Sequence, residues 1–148
     1  MKLKLEKPIV FLDIEATGLD VELDRIIELC LCKVHPDGTR ETKTNRFNPG
    51  IPIPAATTEI HGITDADVKD LAPFSRYAKS ILAFMQGSDL AGFNSNRFDI
   101  PILYNELSRC GVVLNYRSMR FIDVGNIFKI KEPRTLEAAV KFYCGREL

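Results

Sequence analysis

The residues whose spacing could do chemistry are acidic side chains that follow two apolar runs. Asp13 and Glu15 flank Ile14 at the end of the first run, and Asp99 comes shortly after the second. Residues two apart on a strand project from the same face, so Asp13 and Glu15 would converge on one point. A divalent metal ion would offset the cost of these neighbouring charges, and Mg²⁺ binds a few carboxylates together with water and phosphate oxygens.

Three carboxylates from two strand ends are typical of a two-metal site. Such a site binds the attacking and the leaving oxygen of a phosphoryl transfer. Asn94 and Phe98 lie in the turn before Asp99, where an amide and an aromatic ring would flank the same edge. The alternatives are a solvated strand end for Asp13 and Glu15, and a capping role for Asp99, because a carboxylate is favourable at a helix N-terminus.

The elements that must position these side chains are predicted from apolar periodicity and turn residues. Strands are expected over residues 9–12, 25–34 and 39–47, joined by tight turns that include a Pro-Asp-Gly turn within residues 35–38, so they form an antiparallel meander. Thr64 and Asp67 resemble a capping box that begins a short helix. Further helices are expected over residues 74–85, 99–110 and 136–143, the last capped by Thr135, and further strands over residues 90–93 and 121–124. This alternation predicts one α/β domain with a mixed sheet.

The composition fits one domain and excludes two classes of protein. The chain has 148 residues, 45% of them hydrophobic, which is enough for a core without disulfides. Its 20 basic and 20 acidic residues cancel, which excludes a histone-like basic protein. No apolar run approaches the ~20 residues of a membrane span, so we expect a cytoplasmic protein with no membrane partner. Its four cysteines lack metal-binding spacing and are expected to be buried, reduced thiols.

A local basic groove is compatible with this neutral charge, because the second part of the chain is more basic than the first. Cations there could contact a phosphate backbone, with solvated surface charges as the alternative for most of them. The candidates are Arg97, Arg117, Arg120, Lys129, Lys131 and Arg134.

Four segments resemble, in the same order, the DnaQ-like 3′–5′ exonucleases of the DEDDh class. They are FLDIEATGLD, HGIT at residues 61–64, AGFNSNRFDIPIL, and FIDVGNIF at residues 121–128. This superfamily includes the polymerase III epsilon proofreading subunit. The resemblance runs over about residues 9–145 and implies a ribonuclease H-like mixed sheet, in which a three-stranded meander precedes alternating helices and strands.

The resemblance also implies roles for individual residues. Asp13, Glu15 and Asp99 match catalytic residues that bind two Mg²⁺ or Mn²⁺ ions. Asp123 matches a position that is supportive rather than catalytic. A further set of residues would line the site for the 3′ end of a single-stranded nucleic acid: Thr17, Gly18, Leu19, His61, Asn94 and Phe98. For His61, the alternative is a hydrogen-bonded loop histidine without a substrate contact.

The sequence departs from the family at its third motif. In the family, a histidine that acts as general base stands five residues before an aspartate, beyond the last helix. Neither His35 nor His61 matches that histidine, and the last residue is Leu148. We therefore expect residues 1–148 to form one exonuclease-like domain that lacks the C-terminal end of the family domain. Loss of a general base costs ~10²–10⁴-fold in rate, so we expect this chain by itself to be nearly inert.

These observations lead to one main functional hypothesis and two alternatives. The main hypothesis is a metal-dependent 3′–5′ exonuclease that releases nucleoside 5′-monophosphates from DNA or RNA, with a DNA polymerase as a candidate partner. The first alternative is a catalytically inactive nucleic-acid-binding or protein-interaction module on the same fold. The second is an unrelated α/β domain whose carboxylates are merely solvated.

Overall fold

A five-stranded mixed sheet forms the centre of the molecule in the computed structural model, which describes residues 4–131 and 135–147. The strand order is β3-β2-β1-β4-β5. The first three strands pair antiparallel, and β4 and β5 are added in parallel beside β1. The predicted meander and mixed sheet are confirmed. The strands are β1 Ile9–Ala16, β2 Ile26–Val34, β3 Arg40–Arg46, β4 Asp89–Gly92 and β5 Phe121–Asp123.

Helices follow the meander and alternate with the last two strands. The predicted caps are confirmed: Thr64 and Asp67 form a capping box, and the Ala138 N–H donates to Thr135 Oγ1 at 3.2 Å. The helices are α1 Ala55–His61, α2 Asp65–Val68, α3 Ala78–Met85, α4 Asp99–Arg109, α5 Val124–Lys131 and α6 Leu136–Cys144, with 3₁₀ turns at Phe74–Arg76 and Tyr116–Ser118.

One predicted helix needs correction, and two observed helices are not predicted. The element expected over residues 74–85 is a 3₁₀ turn followed by α3, because Tyr77 between them has a φ of −109°. The sequence pattern also does not predict α1 or α5. Among the described residues, α1 buries none of its side chains and carries no apolar stripe, whereas α5 has apolar residues at helical spacing, Val124, Ile127 and Phe128, but buries only Gly125.

The larger hydrophobic cluster packs on one face of β1, and Asp13 and Glu15 project from the other face. Val10, Leu12 and Ile14 pack in one cluster with apolar residues of α3 and α4. Phe11, Asp13 and Glu15 alternate with them and therefore project from the opposite face. β1 pairs with β4 only as far as Phe11, and then continues to Ala16. The end of β1 thus leaves room beside it for the turn that follows β4.

The four cysteines are free thiols, as predicted, but the prediction that they are buried is wrong. All four thiols are free, but none is fully buried, and Cys144 is exposed. Cys30 and Cys32 pair across the sheet with Asp13 and Phe11, so they lie on the less covered face of β2. The expectation of buried thiols fails for that reason. None of the helices that the structure describes is long and apolar enough to cross a membrane.

Candidate active site

The end of β1 meets the start of α4, and this junction brings the predicted carboxylates together. Asp13 is exposed and Glu15 is half-buried on the same face of β1. Asp99 is the first residue of α4, and its buried carboxylate accepts a hydrogen bond from the Ile14 N–H. Because Ile14 follows Asp13, this bond places Asp99 near Asp13, whose charge acts on both Asp99 and Glu15.

The electrostatics of Asp99 show that the cluster holds too much negative charge. Burial is the largest influence, and together with the charges of Asp13 and Asp123 it raises the pKa of Asp99 to about 6. The hydrogen bonds from its own N–H and from Ile14 act in the opposite direction and are outweighed. A cation at this position would restore the ionised form of Asp99.

Glu15 is subject to the same repulsion. Burial raises its pKa first, and the neighbouring charges of Asp13 and Glu28 raise it further, while His61 lowers it. Asp13 therefore acts on both Asp99 and Glu15, which makes it the centre of the cluster. Perturbed carboxylates of this kind are frequent at functional sites.

The donor chemistry of the cluster fits Mg²⁺ or Mn²⁺. All three side chains offer oxygen atoms, and their mutual repulsion is the kind that a hard divalent cation relieves. Within the described residues, no group of three or more carboxylate, imidazole or thiol side chains is placed so that it could hold a metal ion without further ligands such as water or phosphate. Mg²⁺ suits such an open arrangement, because it keeps several waters and takes phosphate oxygens as further ligands.

The loop that follows β1 (residues 17–24, here the β1–β2 loop) is organised around Asp24. The Thr17 hydroxyl, on a side chain only 1% exposed, donates to Asp24 Oδ1 at 2.7 Å. The Asp20 N–H donates to Asp24 Oδ2 at 2.9 Å. A Cβ on Gly18 would lie 2.4 Å from Asp24 Oδ2, so only glycine fits there without a shift. Leu19 is left 86% exposed on this fixed loop.

A buried ion-pair network holds the same loop to α4. Glu106 is 1% exposed, and its carboxylate accepts hydrogen bonds from the guanidinium groups of Arg25 and Arg109. Asn105 Nδ2 donates to the Val21 carbonyl at 2.9 Å, and Arg109 also donates to the Glu22 carbonyl. The hydrogen bond to Glu106 raises the pKa of Arg25. Sequence patterns do not reveal this network, because Arg25 and Glu106 are 81 positions apart.

The turn that follows β4 (residues 93–98, here the β4–α4 turn) is organised around Asp123. The N–H groups of Asn94 and Asn96 donate to its two carboxylate oxygens at 3.0 and 3.2 Å. Burial alone would raise the pKa of Asp123, but these bonds and those from Asn126 and Gly125 hold it below its ordinary value. The structure therefore gives Asp123 the supportive position that the resemblance implies.

Asn94 occupies a strained position within that turn. Its φ is +56°, which is uncommon for a residue other than glycine. Its side chain lies against Gly125, where a Cβ would meet Asn94 Oδ1 at 2.5 Å, and Lys129 Nζ donates to the same oxygen at 3.4 Å. Phe98, half-buried, immediately precedes α4 and Asp99. The turn thus holds Asn94 against Asp123 and Gly125 and places Phe98 next to Asp99, and their contact with a substrate stays a prediction.

His61 ends α1 and lies within electrostatic range of Glu15. Its Nδ1 accepts a hydrogen bond from the Ile63 N–H at 3.1 Å, so the neutral ring carries its proton on Nε2. That Nε2 is buried and has no hydrogen-bond partner among the described residues. The loop-histidine alternative accounts for Nδ1 alone, and a contact between Nε2 and a substrate stays a prediction.

The predicted phosphate-facing cations divide into paired and unpaired groups. Arg120 Nε pairs with Asp89 Oδ2 at 2.8 Å, and Arg120 also contacts Glu6. Arg97 and Arg117 are exposed, and neither guanidinium has a partner within residues 4–131 and 135–147. Arg134 lies outside the described residues.

A comparison with family models decides the membership that these segments suggest. The model described as "Exonuclease" (RNase_T) matches residues 10–144. The chain belongs to this exonuclease family. The predicted resemblance to DnaQ-like 3′–5′ exonucleases is therefore confirmed.

The relatives of this exonuclease-family chain include DNA polymerases. It is 31% identical over 103 residues to DNA polymerase III PolC-type of Streptococcus sanguinis, covering 70% of this chain and 7% of that protein. It is 32% identical over 110 residues to the PolC-type polymerase of Caldanaerobacter subterraneus, covering 74% of this chain and 8% of that protein. The chain thus spans less than a tenth of the curated relatives named here.

Solved structures confirm the fold. E. coli exonuclease I in complex with a dT13 oligonucleotide superposes with a TM-score of 0.77 at 17% identity, covering 87% of this chain and 30% of that one. The apo exonuclease I structure gives a TM-score of 0.75 at the same identity, covering 84% of this chain and 30% of that one. The predicted ribonuclease H-like sheet is confirmed.

Proposed function

We propose that this chain is the exonuclease domain that hydrolyses the terminal phosphodiester at the 3′ end of single-stranded DNA or RNA. One observation carries the proposal. Asp99, fixed by the Ile14 N–H, adds a third carboxylate to Asp13 and Glu15 where the sheet ends. The products would be nucleoside 5′-monophosphates. That residues 1–148 form a single exonuclease-like domain stays a prediction.

Asp13, Glu15 and Asp99 would hold two Mg²⁺ or Mn²⁺ ions. When bound, such ions stabilise the charge that develops on the phosphate oxygens and activate the attacking water. The chain itself would contribute by holding the carboxylates in position. Its carboxylates are fixed by β1 and by the first turn of α4, so little reorganisation is needed at the moment of reaction.

The two loops beside the carboxylates would hold the terminal nucleotide. Leu19 offers an exposed apolar side chain on the β1–β2 loop, where it could pack against the last base. Because the Thr17 hydroxyl donates to Asp24 and the Thr17 N–H donates to the Arg25 carbonyl, only the Thr17 carbonyl and the Gly18 backbone would be left to contact the substrate. Asn94 and Phe98 would line the opposite side. His61 Nε2–H would donate to a phosphate or sugar oxygen next to Glu15.

The comparisons support a nucleic-acid substrate and a polymerase partner. PolC-type relatives are DNA polymerases, and one exonuclease I neighbour is in complex with an oligonucleotide. We infer a single-stranded 3′ end as the substrate and a DNA polymerase as the partner. Binding without hydrolysis is the second candidate, favoured because His61 is the one described histidine near the carboxylates and its Nδ1 is already engaged.

Shortening of a 5′-labelled oligonucleotide tests the proposal. With Mg²⁺ or Mn²⁺, we expect a ladder that shortens from the 3′ end and releases nucleoside 5′-monophosphates, at a rate ~10²–10⁴-fold lowered by the lack of a matching general-base histidine, and EDTA should abolish it. Asp13→Ala should abolish the activity, whereas Asp70→Ala, at an exposed carboxyl, should retain it. Oligonucleotide binding without hydrolysis by the wild type would support the second candidate. Absence of both hydrolysis and binding would reject both.

A further inference from the structure

A partly enclosed pocket of about 230 Å³ lies at the C-terminal end of α4, and none of the three clustered carboxylates lines it. Its apolar wall is formed by Ile26, Pro49 and Phe74, which are all buried. The other wall carries charged side chains together with the exposed residue Ser75. An apolar cavity with a few converging polar groups is typical of a small-ligand site.

The charged wall of this pocket carries more positive than negative charge. Arg25 and Arg109 both line it, and Glu106 is the one carboxylate among its lining residues. In the part of the chain that the structure describes, neither guanidinium has a second carboxylate within salt-bridge distance. Burial, followed by the charge of Glu106, raises the pKa of the Cys110 thiol, so this last ionisable lining group is neutral near pH 7. Glu106 therefore neutralises one of the two guanidinium groups and leaves one positive charge.

Both guanidinium groups also keep N–H donors for a ligand. Arg25 Nε and Arg109 Nη1 both donate to Glu106 Oε1, so the two cations meet at one oxygen atom. Arg25 Nη2 donates to Glu106 Oε2 at 3.3 Å, and Arg109 Nη2 donates to the Glu22 carbonyl. Arg25 Nη1, Arg109 Nε and the Ser75 hydroxyl have no hydrogen-bond partner among residues 4–131 and 135–147. Three residues of one pocket thus offer unused donors, and two of these residues are permanently charged.

We infer that this pocket binds a phosphate group, as orthophosphate or on a small phosphomonoester, through Arg25, Arg109 and Ser75. Guanidinium N–H groups match the oxygens of phosphate, and charge-assisted hydrogen bonds of this kind are strong. The carbonyls in the last turn of α4 do not face the anion unpaired, because those of Leu107 and Ser108 accept hydrogen bonds from the N–H groups of residues 110–112. The inference does not rest on the proposed function, since its test needs no hydrolysis.

A phosphate in this pocket would share its cations with the β1–β2 loop. Arg109 donates to the Glu22 carbonyl in that loop, and the Arg25 N–H donates to Thr17 Oγ1 at 3.0 Å. A ligand that binds only the folded chain stabilises it by mass action. We therefore expect phosphate to raise the melting temperature through the same residues that attach the loop to α4.

Thermal unfolding in EDTA, with orthophosphate replacing NaCl at constant ionic strength, tests the inference. The melting temperature of the wild type should rise with phosphate concentration and then saturate. Arg109→Gln removes charge-assisted hydrogen bonds and should weaken phosphate binding at least about tenfold. Arg40→Gln, at an exposed arginine of β3, is the matched control and should leave the binding within about twofold. Glu106→Gln removes a negative charge from the pocket and should strengthen the binding at least about fivefold.

Two further ligands identify the source of the phosphate group. Ribose 5-phosphate carries the same group on a small sugar, and acetate carries one charge and no tetrahedral centre. Tighter binding of ribose 5-phosphate than of orthophosphate would assign the pocket to a phosphomonoester, and the reverse order would assign it to the free ion. Acetate should bind more weakly than both, and acetate binding as tight as orthophosphate binding would contradict a phosphate site.

A second measurement on the unaltered chain covers the case in which a variant unfolds. Orthophosphate should protect Arg25 and Arg109 from modification by phenylglyoxal, as read by peptide mass spectrometry, and should leave Arg40 reactive. Equal phosphate stabilisation of the wild type and folded Arg109→Gln, or protection no greater at Arg109 than at Arg40, would overturn the inference. So would weaker phosphate binding by folded Glu106→Gln. If phosphate binds and no oligonucleotide is cut, the proposed activity fails and the pocket stands; cleavage without phosphate binding has the opposite meaning.

Discussion

Each of the two loops beside the carboxylates is held by one aspartate that accepts two hydrogen bonds from the loop. The two aspartates differ in how far along the chain they lie from the residues that they hold. In the β1–β2 loop, Asp24 accepts hydrogen bonds from Thr17 and Asp20, which are seven and four positions away. In the β4–α4 turn, Asp123 accepts hydrogen bonds from Asn94 and Asn96, which are 29 and 27 positions away. One loop is closed by its own carboxylate and the other by a neighbouring strand.

This difference determines what each loop depends on. The β1–β2 loop folds locally and is then attached to α4 by the buried Glu106 network. The β4–α4 turn has its strained Asn94 conformation only when β5 delivers Asp123 to it. We therefore expect substitution of Asp24 to alter only the β1–β2 loop, whereas substitution of Asp123 should alter both the β4–α4 turn and the sheet edge.

The largest effect should come from Glu106→Ala. Breaking a buried ion pair costs about 3–5 kcal/mol in general, and the partial exposure of Arg25 and Arg109 reduces the expected loss to about 2–4 kcal/mol. Urea unfolding should measure this loss. Glu59→Ala, on the exposed surface of α1, serves as the control and should change the free energy of unfolding by less than about 0.5 kcal/mol. If Glu106→Ala lowered the free energy of unfolding no more than the control variant does, the β1–β2 loop would not depend on its attachment to α4.

Asp123→Asn should have the next largest effect, and the effect should depend on pH. The pKa of Asp123 is lowered in the folded state, so its stabilisation is present above the ordinary pKa of an aspartate and is lost as the pH falls through the lowered value. We expect a destabilisation of about 1–2 kcal/mol at pH 7, because charge-assisted hydrogen bonds to N–H groups are weakened. Unfolding curves at pH 7 and pH 3 should show the difference shrinking, and a constant difference would contradict the assigned role.

Gly18→Ala should mainly affect activity. The new Cβ would lie 2.4 Å from Asp24 Oδ2, so either the carboxylate or the loop must move. We expect about 1–3 kcal/mol of destabilisation, the usual cost of overpacking, together with a lower kcat/KM for oligonucleotide hydrolysis. The double variant Gly18→Ala with Asp24→Ala removes the clash. Equal activity of the wild type and Gly18→Ala would show that the precise loop conformation is not needed.

Leu19→Ala should change stability least of all. This side chain is almost fully exposed, so the free energy of unfolding should change by less than about 0.5 kcal/mol. If Leu19 packs against the terminal base, KM for the oligonucleotide should rise several-fold. Steady-state kinetics with dT12 separate the two effects, and an unchanged KM would remove Leu19 from the substrate contacts.

Local signals in the sequence predict most of the fold and the carboxylates, but not the contacts that hold the loops. Apolar spacing finds β1, β2 and α4, because those elements bury an apolar side, while turn residues find β3 and helical spacing finds α6. They miss α1, which buries none of its residues. Asp13 and Glu15 are found because two positions on a strand share a face. The pairing of Glu106 with Arg25 has no local signature, because it exists only once α4 has packed on the sheet.

The central claim is that Asp13, Glu15 and Asp99 form a site for divalent metal ions, and thermal unfolding of Asp99→Asn tests it most directly. The raised pKa of Asp99 means that its ionised form destabilises the metal-free fold as the pH rises through about 6. At pH 8 in EDTA, Asp99→Asn should therefore be more stable than the wild type, by about 1–3 kcal/mol, and this gain should disappear below pH 4. With excess Mn²⁺ or Mg²⁺, the wild type should gain stability and the variant should gain much less. Metal ions that stabilise neither protein, or both equally, would contradict the account.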